Sequence, residues 1–155
     1  MLKKELSTSN SAALNAALRL LTKREYSIFE LKQKLSLRFS KEAVDSAIKR
    51  CVQEGWQSEK RTAQMIVRHM QFQGYGPKRL IFEFKKRHLQ ISLNGLDEDD
   101  KVDWQEVAIE ALKRKLGNNF VGPIEASDRQ KLLSWLYRRG FSGDCCVKAL
   151  DEYLN

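Results

Sequence analysis

Cysteine, proline, glycine and histidine are all scarce in this chain of 155 residues. Its three cysteines, Cys51, Cys145 and Cys146, are odd in number and show no CxxC spacing. That argues against a disulfide framework and against a zinc site. Two prolines and eight glycines are too few for an all-β domain built on tight turns. The two histidines, His69 and His88, stand in no ligand spacing with each other or with cysteine. No apolar run approaches the roughly 20 residues that span a bilayer. Residues 1–11 contain no apolar signal-peptide core, so the expected location is the cytoplasm, with no membrane partner. Neither GxxxxGK[ST] nor GxGxxG occurs, and the acidic run at 97–100 lacks the Gly-centred spacing of a calcium loop. No catalytic constellation emerges. The expectation is a non-enzyme with no metal and no cofactor.

Charge and helical periodicity are what the chain does have. Hydrophobic residues make up 42% and charged residues 31%, and the formal net charge is +8. The charge is uneven. Residues 1–91 carry 19 Lys/Arg against 8 Asp/Glu, a net of +11, whereas residues 92–155 carry 9 against 12, a net of −3. A basic front suits a polyanion, and a mildly acidic back suits a protein surface.

The apolar positions recur at helical spacing. Ala13, Leu14, Ala17, Leu18 and Leu21 mark one helix. Ser27 with Glu30 three residues on is a capping box for a second, carrying Phe29, Leu31, Leu35 and Leu37. Ser40 opens a third with Val44, Ala47, Ile48, Cys51 and Val52, and Gly55 ends it. A fourth starts near Ser58 and reaches Gln73, with Ala63, Ile66, Val67 and Met70 inward. Gly74-Tyr75-Gly76-Pro77 is the sharpest punctuation, and Pro77 suits the first turn of the next helix. Residues 92–96 suggest a short helix or turn, followed by an acidic linker. Asp103 and Trp104 begin another helix through Val107, Ala108, Ala111, Leu112 and Leu116. Ser127 or Asp128 is expected to cap the next, which Gly140 stops, and Ser142 opens the last with Val147, Leu150 and Leu154 inward. Trp56, Trp104 and Trp135 are expected to pack.

A phrase repeats through these helices. Leu31, Leu35 and Arg38 are matched by Leu80, Phe84 and Arg87, and again by Leu132, Leu136 and Arg139. The anchors recur 49 and then 52 residues apart. A period near 50 predicts stacked modules, each near the size at which an isolated module struggles to bury enough apolar surface, so that they lean on their neighbours and only part of each core is private. The expected fold is all-α, an elongated array of three tandem three-helix, helix-turn-helix-like repeats. A flexible N-terminus covers 1–11, and the repeats cover 12–57, 58–102 with the acidic linker, and 103–155.

Basic residues interleaved with aromatics are the functional signal. Tyr75, Lys78, Arg79, Lys85, Lys86 and Arg87 cluster around one helix, and the first repeat adds Arg24, Lys34 and Arg38. Such a face neutralises phosphates and releases counterions. Tyr75 either stacks on a base or anchors its turn. Lys85, Lys86 and Arg87 also complement a helix C-terminus. The repeated Arg38, Arg87 and Arg139 either meet phosphate or reach helix-end carbonyls.

These residues resemble the RecX regulatory proteins of bacteria over residues 12–154. The most specific piece is Gly74-Tyr75-Gly76-Pro77-Lys78-Arg79-Leu80, which is similar to the family's glycine-tyrosine-glycine-proline turn. Glu30-Leu31 with Lys34-Leu35, Asp103-Trp104 and Arg138-Arg139-Gly140-Phe141 match further landmarks. The chain departs from the pattern at Gly55-Trp56-Gln57-Ser58 and at Gly95, so contacts there are not carried over. The resemblance implies a protein that lies in the groove of the RecA–DNA filament, and a monomer is expected. It implies blocked extension or promoted disassembly, and so restrained recombination, strand exchange, ATPase and SOS co-protease activity. It also implies contact with single- or double-stranded DNA without sequence preference. The alternative is a helix-turn-helix DNA-binding regulator acting without RecA.

Overall fold

The structure, a computed structural model, describes residues 5–89, 91, 96, 100–118 and 122–155. The short helix expected at 92–96 and the acidic linker fall almost wholly outside the described residues. So does the middle of the loop expected at 117–123. Eight helices are present among the described residues: α1 (Asn10–Lys23), α2 (Ile28–Leu35), α3 (Lys41–Gln53), α4 (Glu59–Gln73), α5 (Pro77–Lys86), α6 (Trp104–Leu116), α7 (Ala126–Arg138) and α8 (Gly143–Leu154). No strand occurs among these residues, only a parallel bridge between Ser7 and Phe39. The chain divides into two compact units, Met1–Met65 with Lys85–Gly95 and Ile66–Phe84 with Leu96–Asn155. The boundaries fall inside α4 and α5.

Unit one is organised by serine caps. The Ser27 hydroxyl accepts from Glu30 N–H while the Glu30 carboxylate accepts from Ser27 N–H, closing the expected capping box. Ser40 caps α3 in the same way through Ala43 N–H. Ser9 caps α1 through Ala12 N–H, so that helix starts at Asn10, earlier than its apolar stripe implies. Ser7 N–H donates to Arg38 O at 2.9 Å and Ser40 N–H to Ser7 O at 2.8 Å, which ties the leading segment to the α2–α3 connection. Around these caps Ala13, Ala17, Leu31, Leu35, Phe39, Val44, Ala47, Ile48 and Cys51 form one core. Leu37 and Val52 do not join it: they are 79% and 45% exposed. Helix α2 ends at Leu35, which takes Leu37 off its stripe. Val52 follows the fully buried Cys51 and points a quarter-turn away.

Unit two has its own core of Val107, Ala108, Leu112, Leu132, Leu136, Phe141, Cys146, Ala149 and Leu150. Asp103 caps α6 through Glu106 N–H, and Ser142 caps α8 through Cys145 N–H, as the sequence predicts. The cap expected from Ser127 or Asp128 is absent. Helix α7 begins at Ala126 with Glu125 at its N-cap and no side-chain cap bond. Ser127 and Asp128 are already inside the first turn, where the Asp128 charge suits the helix dipole. Val147, expected inward, is 42% exposed, because α8 turns Cys146, Ala149 and Leu150 to the core.

Two glycine corners meet inside unit two. Gly76 N–H donates to Arg139 O at 2.8 Å, and Lys78 N–H donates to Gly140 O at 3.1 Å. A Cβ on Gly76 would sit 2.4 Å from the Gly140 carbonyl carbon and 2.5 Å from Phe141 N. Gly140 has φ +101°, and a Cβ there would meet Arg79 N at 2.7 Å. Both positions therefore need glycine, one for space and the other for space and backbone. The contact also satisfies a donor in the first turn of α5 that Pro77 cannot help to cap.

Two outcomes follow for stability. Gly76→Ala forces backbone against backbone and should lower unfolding free energy by about 3 kcal/mol. Gly143→Ala, in open space at the start of α8, should stay within about 0.5 kcal/mol. Equal losses in denaturant titrations would contradict the packing. The second outcome concerns Glu30. Burial works to raise its pKa, but the Ser27 N–H, the Arg24 hydrogen bond and the charges of Arg24 and Arg87 outweigh it, holding the carboxyl below its ordinary 4.5. A depressed carboxyl stabilises the fold above the unfolded pKa, and that stabilisation is lost as pH falls through the folded one. Glu30→Gln should therefore lower Tm at neutral pH, with the gap closing as the pH falls below 4.5. A gap independent of pH would show that the charge is not what stabilises this corner.

Candidate functional site

The nine basic and aromatic residues singled out in the sequence fall in both units, and each unit gathers its own set. In unit one Arg24 lies over the Tyr26 ring at 3.8 Å and ion-pairs with Glu30 at 3.0 Å. Lys34 reaches the same ring at 5.9 Å. Arg38 lies 5.3 Å from the Phe39 ring. Lys85 and Lys86 are exposed in the last turn of α5. Arg87 follows, half-buried, and its carbonyl accepts from the Ser27 hydroxyl at 2.9 Å. The next residue, His88, stacks on Phe29 with ring centroids 3.8 Å apart. The end of α5 is thus pinned by backbone and ring contacts, and the two lysines before it project into solvent.

In unit two Tyr75, Lys78 and Arg79 come together with residues from α6 and α7. Contacts alternate between ring and cation. Arg79 lies 5.6 Å from the Phe82 ring and 5.2 Å from Tyr75. Arg139 lies 4.4 Å from Tyr75 and 4.9 Å from Trp135, and Lys115 lies 4.8 Å from Trp135. Lys78 sits apart from this series, 4.5 Å over the Tyr137 ring. Tyr75 thereby acts as the anchor of its turn, held between two guanidinium groups.

Arg139 belongs to the structural alternative. Its Nε donates to Gly74 O at 2.9 Å and its Nη2 donates to Gln73 O. Arg114 donates to Phe72 O. Two arginines thus satisfy carbonyls at the C-terminal end of α4, where helices leave acceptors unpaired. Arg114 was not singled out by sequence, and neither were Phe82 and Tyr137. The i+3 step from Arg79 to Phe82 is visible in the sequence. The approach of α7 to α5 is not.

Electrostatically, carboxylates partner few of the nine. Glu30 pairs with Arg24, and Glu83 approaches Arg79 at 3.8 Å. Among the described residues no carboxylate lies within ion-pairing distance of Lys34, Arg38, Lys78, Lys85 or Lys86. Rings lie beside Lys34, Arg38 and Lys78, and Lys85 and Lys86 are exposed in the last turn of α5, so no carboxylate among the described residues cancels the charge of these five and it is available to a polyanion. Burial pushes the Cys51, Cys145 and Cys146 thiols above their ordinary range, away from the thiolate. Among the described residues no group of His, Cys, Asp and Glu is placed to hold a metal ion. No helix among them is long and apolar enough to cross a membrane.

Comparison with known proteins places this arrangement in a family. The model of the RecX first three-helix domain matches residues 13–51, which span most of α1 to α3. The regulatory protein RecX of Xanthomonas campestris pv. campestris (strain B100) is 35% identical over 137 residues, covering 83% of this chain and 79% of that protein. The regulatory protein RecX of Haemophilus influenzae (strain PittEE) is 33% identical over 139 residues, covering 87% and 90%. The crystal structure of RecX from Lactobacillus salivarius shares the fold with a TM-score of 0.69 at 23% identity, covering 93% of this chain and 96% of that one. Its likeness, with the eight helices and the matched three-helix domain, makes the architecture an all-α helical repeat fold. With a third of its residues identical across most of its length to these regulatory proteins, the chain belongs to the RecX family.

Proposed function

We propose that this chain is a non-enzymatic negative regulator of the RecA recombinase, acting in the cytoplasm as a monomer. It lies in the groove of the RecA–DNA filament, where it blocks extension or promotes disassembly. Recombinase, strand-exchange, ATPase and SOS co-protease activity fall as the filament does. Its three tandem three-helix repeats, 12–57, 58–102 and 103–155, are the units that lie along the filament. The observation that carries this reading is a set of five cations, Lys34, Arg38, Lys78, Lys85 and Lys86, without carboxylate partners among the described residues in a member of the RecX family. Arg24, Tyr75, Arg79 and Arg87 support them, through ion pairs and ring contacts that hold the surrounding backbone. Contact with DNA is through phosphate and therefore independent of sequence.

The test is RecA's ATP hydrolysis on single-stranded DNA, titrated with this protein below one molecule per RecA. Strong substoichiometric inhibition is expected, since blocking growth at one point silences many protomers. Lys85→Glu with Lys86→Glu should weaken inhibition and flatten its salt dependence, because two phosphate contacts are lost. Inhibition unchanged at every salt concentration would remove this face from the mechanism. No effect on RecA with binding to bare DNA intact would favour a DNA-binding regulator acting alone.

A further inference from the structure

The interleaved rings of unit two are not equivalent. Tyr75 and Trp135 each contact two cations and are half-buried. Phe82 and Tyr137 each contact one among the described residues, Arg79 and Lys78 respectively, and they are 56% and 55% exposed. Packing accounts for the first pair. It does not account for two large rings left mostly in water, each with a basic side chain from α5 against it. Phe72 supplies the contrast: it is 74% exposed, but no cation lies against its ring among the described residues.

We propose that Phe82 and Tyr137 are a stacking platform for unpaired bases, and that they make this protein prefer single-stranded nucleic acid to duplex. This rests on the reading that its cations meet nucleic acid, and names what the neighbouring rings add. A lysine surface alone neutralises phosphates on either form. A ring stacks only on a base whose face is free, and pairing in a duplex keeps those faces covered. Lys78 Nζ lies 4.5 Å over the Tyr137 ring, which places a positive charge beside the ring for the phosphate of a stacked nucleotide. The Arg79 guanidinium lies 5.6 Å from the Phe82 ring and places a second positive charge beside a ring. Glu83 pairs with Arg79 only at 3.8 Å, so the guanidinium retains donors for phosphate.

Binding is measured without RecA, and inhibition of RecA ATPase is followed in parallel for the same variants. Binding of a fluorescein-labelled oligothymidylate and of a labelled duplex of equal length is followed by anisotropy, for the wild type, Phe82→Leu with Tyr137→Leu, and Phe72→Leu. Leucine keeps apolar bulk at exposed sites, and the conservative pair Phe82→Tyr with Tyr137→Phe keeps the rings. The wild type should bind the single strand more tightly. The double leucine variant should lose about tenfold or more of that affinity. Its duplex affinity should stay within about twofold and its salt dependence should not change, because no charge is removed. Phe72→Leu and the conservative pair should behave as the wild type. The proposal is overturned if single-strand and duplex affinities fall together, if neither falls, or if the wild type binds neither. It is also overturned if single-strand binding survives while inhibition of RecA ATPase is lost, since the rings would then face protein. A wild type that discriminates between strands but leaves RecA untouched would sink the filament reading alone.

Discussion

The contact between Gly76 and Gly140 is the constraint on which the basic and aromatic cluster of unit two depends. Two corners of backbone approach so closely that neither can carry a side chain without displacing main-chain atoms of the other. The hydrogen bonds across the contact run from Gly76 N–H to Arg139 O and from Lys78 N–H to Gly140 O. They fix where α5 starts, and hence which way Lys78 and Arg79 project. Arg139 completes the corner from its side chain, donating to Gly74 O and holding the Tyr75 ring. Such a junction is local and rigid, and it costs the surface nothing in charge, because carbonyls and rings rather than carboxylates are the partners of Arg139.

The same choice of partner runs through both units. A cation over an aromatic ring keeps its full charge, whereas an ion pair cancels it at long range. Lys34 over Tyr26, Arg38 over Phe39 and Lys78 over Tyr137 are all oriented in this way. Acidic side chains of unit one serve other ends. Glu30 closes a capping box, and Glu59 accepts from Ile28 N–H at 2.8 Å at the start of α2. A surface of oriented but uncancelled charge gives affinity that salt weakens, together with fast encounter with a polyanion.

The helices were legible because their signals are local. Ser27, Ser40, Asp103 and Ser142 cap where serine and aspartate a few residues ahead of an apolar stripe suggest they should. Pro77 starts α5 for a reason contained in its own ring. The misplacements have the same origin. Val52 and Val147 are apolar and adjacent to true core positions, and only the angle at which neighbouring helices pack decides which of the two faces in. The α7 start was missed because its cap residue, Glu125, makes no side-chain bond that a motif would encode. The basic residues of the candidate site could be read from composition and order. Their ring partners could not, since Tyr137 lies 59 residues from Lys78 in the chain. The role of Arg139 was legible only as one of two alternatives. Its carbonyl partners are 65 and 66 residues away and become visible only when the corners meet.

Lysine footprinting tests the central claim most directly. The protein is labelled with an amine-reactive reagent, free and on preformed RecA filaments on single-stranded DNA, and each lysine is quantified by mass spectrometry. Lys34, Lys78, Lys85 and Lys86 should lose reactivity on the filament. Lys131 in α7 and Lys148, which pairs with Asp144 on α8, should keep theirs. Protection of Lys131 and Lys148 with the other four still reactive would contradict the account, since the filament would then be meeting a different face of the protein.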